Sequence, residues 1–326
     1  MQRFKDILFI AASDSVGGAA LECAATLAVN NQARLTVVRV IEEMPLELKL
    51  VDRVLSADDL QAEIVAKHRQ RLEEQLVARN KDIEIEVRVL IGKPFLQIIR
   101  EVLRNDHDLV VKMAESGRWL DRVFGSDDMH LLRKCPCPVW LVKSDSPKAY
   151  QRILAAVDVD DLYPPEELNT RYQLNLQVLE IASSLALSEF AELHIVHAWR
   201  AIGEGEMPGG FIKSSEDEVV AYVEEVRQQH KHNLDELVDG IMSQLGRNTS
   251  GYLKPETHLL KGYAGEDIPV LAREIKADLV VMGTIARTGI SGFIMGNTAE
   301  TILNRLDCSV LAIKPPGFET PITLDD

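Results

Sequence analysis

The sequence predicts an α/β protein of two tandem five-stranded parallel-sheet domains. Three observations lead there. The 326 residues are 46 % hydrophobic, enough apolar material for two cores of ordinary size. The two halves of the chain align with one another. Within each half, short β-branched runs alternate with longer segments of helical period, as parallel strands joined by crossover helices require.

The alignment runs through four blocks. KDILFIAASDS matches QRILAAVDVDD with Ile7 on Ile153, an offset of 146, and ARLTVVRV matches AELHIVHA with Leu35 on Leu193, an offset of 158. VLIGKPFLQIIREV matches HLLKGYAGEDIPVLAREI with Gly92 on Gly262, an offset of 170. RVFGSDDMHLLRKCPCPVWLVK matches GFIMGNTAETILNRLDCSVLAIK with Gly125 on Gly296 and Lys143 on Lys314, both at 171. The offset grows by about twelve in each of two places, so the second copy carries two surface insertions, one around DLYPPEELNTRYQLN and one around AIGEGEMPGGF, whose Gly and Pro prevent regular structure.

The strands follow in order from their apolar, β-branched runs. In copy one they are Ile7–Ala12, Leu35–Ile41, Ile85–Ile91, Leu109–Met113 and Val139–Val142. In copy two they are Ile153–Val157, Leu193–Ala198, His258–Lys261, Leu279–Met282 and Val310–Ile313. The polar, Pro-containing SDSPKAYQ joins the copies, placing domains at 1–145 and 150–316.

Formal net charge is -15, divided as about -1 for residues 1–148 and -14 for the remainder. An acidic second half argues against broad binding of nucleic acid or anionic membrane, which needs clustered Lys and Arg. No apolar run approaches the roughly 18 residues of a membrane span. MQRFKD leads directly into strand-like ILFIAA instead of a signal-peptide core, so a cytoplasmic protein is expected. Cys23, Cys135, Cys137 and Cys308 are too few for a disulfide framework, and Cys135-Pro-Cys137 is too close for a zinc knuckle, which leaves structural packing.

The chemistry concentrates in MGTIARTGISGFIMGNT, Met282 to Thr298. It lies beyond the carboxyl end of a strand, where parallel α/β sheets collect ligands. Its glycines allow positive φ and close ligand approach, and the helix starting near Asn297-Thr298 offers backbone N–H groups to an anion, so a phosphate cradle is expected. It is neither a P-loop nor a G-x-G-x-x-G fingerprint.

Its spacing resembles that of the universal stress protein family, in which the fourth strand ends in G-x-x-G, nine residues, then G-S/T. Gly283, Ala286, Gly296 and Asn297 fall on those places, with RTGIS between. The resemblance covers nearly the whole chain, through ILAAVD, the Gly at 262, ADLVVMGT and CSVLAIK, and two copies are similar to the tandem subclass. It implies a Rossmann-like, adenine nucleotide alpha hydrolase-like fold and an ATP or AMP site at the sheet edge. Asp158, preceded by Val157, would contact adenine, Gly283, Arg287, Gly289 and Gly296 would form the loop, and Asn297 and Thr298 would donate to phosphate. It also implies a non-catalytic role in surviving stress such as DNA damage or starvation, and pseudo-twofold pairing of the two copies, with association into a homodimer left open.

This chain departs from the family pattern at two positions. Ala286 stands where nucleotide binders have their second Gly, at a cost of roughly 1 kcal/mol if φ is positive, and Asn297 replaces Ser or Thr while still able to donate. Copy one departs further: Ala12 replaces the Asp, and Lys112 and Glu115 replace the first two glycines, leaving Gly125 and Ser126. Glu115 would repel an anion, so copy one is not expected to bind ATP.

Other candidates have plainer explanations. Asp158-Val-Asp160 suggests an aspartyl-phosphate motif, but an adenine-contacting Asp followed by an acidic loop accounts for it. Ser291 lacks the nucleophile-elbow frame, and no catalytic residue is assigned. His194 and His197 lie on opposite faces of a strand, and His230 and His232 diverge on a helix, so no metal site is expected. Trp119 and Phe124, and Phe293 and Met295 in copy two, are explained by packing of their loops; alternatively, Arg118, Trp119 and Phe124 line a copy-one crevice for an acyl chain or lipid-like ligand. That scaffold, or a protein-partner scaffold with neither copy binding ATP, is the alternative reading.

Overall fold

The computed structural model describes residues 4–12, 18–43, 57–77, 83–115, 127–204, 215–245, 252–284 and 295–324. They form two compact units, Met1–Lys148 with Phe318–Asp326, and Ala149–Gly317.

The first unit contains β1 (Asp6–Ile10), α1 (Ala19–Asn31), β2 (Arg34–Ile41), α2 (Ala57–Val77), β3 (Ile85–Ile91), α3 (Pro94–Asn105), β4 (Leu109–Met113), α4 (Asp127–Lys134) and β5 (Val139–Val142). Its five strands are parallel in the order β3-β2-β1-β4-β5. The second unit contains β6 (Arg152–Ala156), α5 (Pro165–Glu189), β7 (Glu192–Trp199), α6 (Glu216–Leu245), β8 (Glu256–Lys261), α7 (Ala264–Glu274), β9 (Leu279–Gly283), α8 (Asn297–Arg305) and β10 (Ser309–Ile313). Its strands repeat the order as β8-β7-β6-β9-β10, all parallel. The predicted class of two five-stranded parallel α/β domains is what the chain adopts.

The central strands are apolar because helices cover both faces. Ile7, Leu8, Leu109 and Val110 in one unit, and Ile153, Leu154, Leu279 and Val280 in the other, are fully buried, and each such side chain contributes roughly 1.5–3 kcal/mol. At the amino ends of the inner strands a carboxylate repeats. Asp108 accepts from the N–H groups of Lys5 and Asp6, and Asp278 accepts from those of Gln151 and Arg152. These bonds fix strand register next to the sheet's switch point.

The duplication reaches the backbone. Gln32 and Phe190 end α1 and α5 in the left-handed conformation, at φ 51° and 55°, and Asp106 and Lys276 both have φ 53° after α3 and α7. After β3 and β8 the matched glycines each donate to the neighbouring strand, Gly92 to the Ile41 carbonyl and Gly262 to that of Trp199. Gly92 sits at φ +127° and Gly262 at φ +158°, backbone that residues with a Cβ rarely adopt, so glycine is required at both.

The two insertions have different outcomes. The first is largely helix: Pro165 at the first turn, followed by Glu166 and Glu167, starts α5 early, giving 25 residues against 13 in α1. Most of AIGEGEMPGGF lies outside the described residues. The tail, which the sequence leaves outside both domains, joins the first unit, where Arg100 Nε donates to the Thr323 carbonyl at 3.1 Å.

Candidate functional site

In each unit the strand order reverses between its first and fourth strands, β1 and β4 or β6 and β9. The crevice beyond their carboxyl ends is where such sheets hold ligands. In the second unit this places Asp158 two residues beyond Ala156, whose register partner is Met282, just ahead of Gly283. Two predicted site residues, 125 apart in sequence, therefore flank one crevice.

One helix grips both sides of it. Asn175 of α5 holds the Asp158 backbone from two directions, accepting from its N–H at 3.1 Å and donating to its carbonyl at 2.7 Å. The preceding residue, Leu174, lies against Gly283, where an added Cβ would be 2.5 Å from Leu174 Cδ2. One turn earlier, Arg171 Nη1 donates to Asp158 Oδ2 at 3.1 Å while its guanidinium stacks 3.4 Å above the Tyr163 ring. The Tyr163 hydroxyl also donates to Oδ2, at 2.9 Å. Burial, and then the Asp158 charge, push the Tyr163 hydroxyl pKa up, so it remains a proton donor. The other oxygen, Oδ1, accepts only a long 3.3 Å bond from the Asp160 N–H among the bonds described. With its side chain 43 % exposed, Asp158 retains acceptor capacity toward solvent.

Val157 is buried, and its N–H is committed to the Val196 carbonyl at 3.0 Å. Behind Asp158, His197 Nδ1 lies 3.3 Å from the Val157 carbonyl and 3.4 Å from the Val159 nitrogen, and its Nε2 lies 3.0 Å from His230 Nδ1. Burial lowers the His197 pKa against the opposing pull of Asp158, favouring a neutral ring.

On the other side, Gly296 caps α8 with extended backbone at φ -67° and accepts from the Glu300 N–H. It has no side chain with which to cap the helix, and Asn297 and Thr298 are exposed in the first turn. Buried Lys314 donates from Nζ to Thr284 Oγ1 at 2.7 Å, placing a cation beside the end of β9. Neither Gly283 nor Gly296 has positive φ. The conformational reason given for these two glycines is therefore replaced: Gly283 is small because Leu174 occupies the space of its side chain. Ala286, Arg287 and Gly289 lie outside the described residues, as do Phe293, Arg118, Trp119, Phe124, Gly125 and Ser126. Met295 is buried, as the packing reading of that loop expects.

At the corresponding place of the first unit, the described residues form a charge cluster of their own. Asp128, in the first turn of α4, accepts from the Glu115 N–H at 2.9 Å and is ion-paired to Lys112 Nζ, which also meets Glu115 at 3.2 Å. Burial disfavours the Lys112 charge, but Asp128 outweighs it and holds the pKa above the usual value. At the position of Asp158, Ala12 has no carboxylate, and its carbonyl accepts from buried Arg39 at 2.7 Å.

His194 and His197 do face opposite ways, toward His258 and His230 respectively. The sequence reading missed both cross-element partners, along with Tyr163, Arg171 and Asn175. The last three fell within a segment read as an insertion. Cys135 and Cys137 are buried with sulfurs 3.6 Å apart, and their contact and burial raise the Cys137 pKa, as expected of inert packing.

The fold defines a tandem α/β protein of two parallel-sheet units with a switch-point crevice in each. Residues 3–143 and 149–314 each match the universal stress protein family, and the chain belongs to that family, in its tandem-domain form. It is 36 % identical over 250 residues to universal stress protein E of Escherichia coli K12, covering 76 % of this chain and 73 % of that one. It is 31 % identical over 299 residues to the universal stress protein E homolog of Haemophilus influenzae, covering 85 % and 91 %. Among solved structures, a Pseudomonas aeruginosa protein of unknown function superposes with TM-score 0.67 at 24 % identity, covering 96 % of this chain and 94 % of that one. A universal stress protein from Archaeoglobus fulgidus superposes at 0.57 and 17 % identity, covering 94 % and 97 %. These likenesses establish the shared fold. No helix among the described residues is long and apolar enough to cross a membrane.

Proposed function

We propose that the second unit holds an adenine nucleotide, ATP or AMP, that the first unit holds none, and that the protein acts as a non-catalytic cytoplasmic stress-response protein supporting survival of insults such as DNA damage. The observation that carries this reading is the contrast between the two crevices. In the first unit Asp128 supplies the anion beside the Glu115 N–H. In the second, the start of α8 has no side-chain cap, and Asp158 presents a partly exposed carboxylate. Arg171 and Tyr163 position that carboxylate, leaving Oδ1 to accept from an adenine amine.

A second reading, a scaffold for an amphipathic ligand or protein partner with neither unit binding ATP, draws support from the same bonds, because Asp158 is already engaged by two side chains. Calorimetric titration of the full chain with ATP and with AMP separates the two, alongside mass spectrometry of ligand released on denaturation. Heat at micromolar ligand that Asp158→Ala abolishes supports the nucleotide reading. Unchanged affinity in Asp158→Ala refutes the adenine contact, and an acyl compound released with no nucleotide heat favours the scaffold.

A further inference from the structure

At the amino ends of β7 and β8, remote in the strand direction from the nucleotide crevice, the second unit gathers His194, Glu256 and His258. His194 is the third residue of β7, and Glu256 and His258 are the first and third of edge strand β8. In register His194 faces Glu256, and His258 is one pleat further along. His194 Nδ1 lies 3.0 Å from His258 Nε2 and 3.7 Å from Glu256 Oε2, while His258 Nε2 lies 3.9 Å from Glu256 Oε1.

We propose that these three side chains form a binding site for a divalent zinc-type cation. Tetrahedral Zn²⁺ with ligands at about 2.0–2.1 Å separates neighbouring donor atoms by roughly 3.3 Å. The two nitrogens are therefore a few tenths of an ångström too close and the carboxylate a few tenths too far, differences that side-chain torsions absorb. Two imidazoles and one carboxylate are a donor set suited to zinc, with the fourth position left to water.

A second observation is the proton arrangement around His194. Its ring is buried, and Nε2 has no hydrogen-bond partner among the described residues. The nearest carboxylate to that nitrogen is Glu192, at 3.8 Å. With Nδ1 on a metal, the proton resides on Nε2, and a rotation of exposed Glu192 would bring its carboxylate from 3.8 Å to the outer position that orients metal-ligating histidines. His258 then carries its proton on Nδ1, so a neutral pair binds the cation by changing tautomer without releasing a proton.

The first unit gives an internal comparison. There the same register joins Thr36 to Glu86, and Arg88 replaces the second histidine, its Nε 2.7 Å from Glu86 Oε1. The acid is kept in both copies, but the first satisfies it with a built-in guanidinium and the second surrounds it with imidazoles. A bound dication would restore that missing positive charge and clip edge strand β8 to β7.

The test is Zn²⁺ titration of the metal-stripped full chain against a chromophoric chelator. One equivalent per chain is expected, with Glu256→Gln weakening binding at least tenfold and His258→Ala more than a hundredfold. Glu256 is exposed, so Glu256→Gln keeps the fold even if a histidine variant does not. His232→Ala, which removes the separate surface pair of His232 with Glu236, should change nothing. X-ray absorption should show two imidazole nitrogens on the metal. No stoichiometric zinc in the parent chain, or affinity unchanged in both Glu256→Gln and His258→Ala, would overturn the site and leave a simple histidine–histidine hydrogen bond.

Discussion

Gly283→Ala tests why the nucleotide-type loop begins with glycine. The new Cβ would lie 2.5, 3.0 and 3.4 Å from Cδ2, Cγ and Cδ1 of Leu174, so the whole end of that side chain must retreat by about 1 Å to reach ordinary contact. Leu174 is half-buried and can move in part, which puts the cost at about 1–2 kcal/mol, the lower range for overpacking. Leu174→Ala removes the opposing atoms, so in that background Gly283→Ala should cost less than about 0.5 kcal/mol and the cycle should show a coupling of about 1 kcal/mol. Urea unfolding of the four proteins, followed by circular dichroism, measures this. Equal costs of Gly283→Ala in both backgrounds would refute the packing explanation. If Gly283→Ala left stability intact but abolished nucleotide heat, the glycine would be serving the ligand instead.

Three further outcomes follow. Asp128→Ala leaves half-buried Lys112 with the partly exposed Glu115 as its anion among the described residues and should cost about 2–3 kcal/mol, read as a lower urea midpoint of the first unit, with no gain of nucleotide binding there. Burial alone would raise the Glu101 pKa, but His107 and Arg88 more than offset it and hold it below the ordinary 4.5. A depressed carboxylate contributes stability above its unfolded pKa and loses it as pH falls through the folded value. Urea midpoints should therefore drop as pH is taken below about 4.5, and Glu101→Gln should flatten that dependence; a parallel profile would count against the assignment. Phe190 has φ 55° and is 97 % exposed at the end of α5, so Phe190→Gly should relieve backbone strain and raise the melting temperature by about 1–3 °C, whereas a fall would show that the ring is packed in solution.

Strand placement was legible because period and β-branching suffice for buried parallel strands. Ile85–Ile91, Leu109–Met113 and Val139–Val142 fall where their residues indicated. The pairing of Asp158 with the Gly283 region was expected from the family resemblance alone, because strand pattern does not reveal that β6 lies beside β9. What pattern alone did not expose was helix α5. Pro164-Pro165 reads as a break, yet the second Pro followed by two glutamates is also how a helix begins. Once that turn is helical, Arg171, Leu174 and Asn175 fall on the face toward the crevice. Comparing histidines only with near neighbours in sequence likewise hid His258, because His194 meets it across a strand ladder 64 residues away.

The carboxylate of Asp128 gives the two halves different thermodynamic characters. A crevice holding a covalently attached anion has an occupancy that no solute concentration alters, so mass action contributes nothing to the stability of that half. On the proposed function, the second crevice has no such built-in anion and would gain stability as its nucleotide rises above the dissociation constant. The two copies, one with Asp128 and Ala12 and the other with Asp158, would then form a fixed half and an adjustable one, the first serving as an internal reference in any melt of the second.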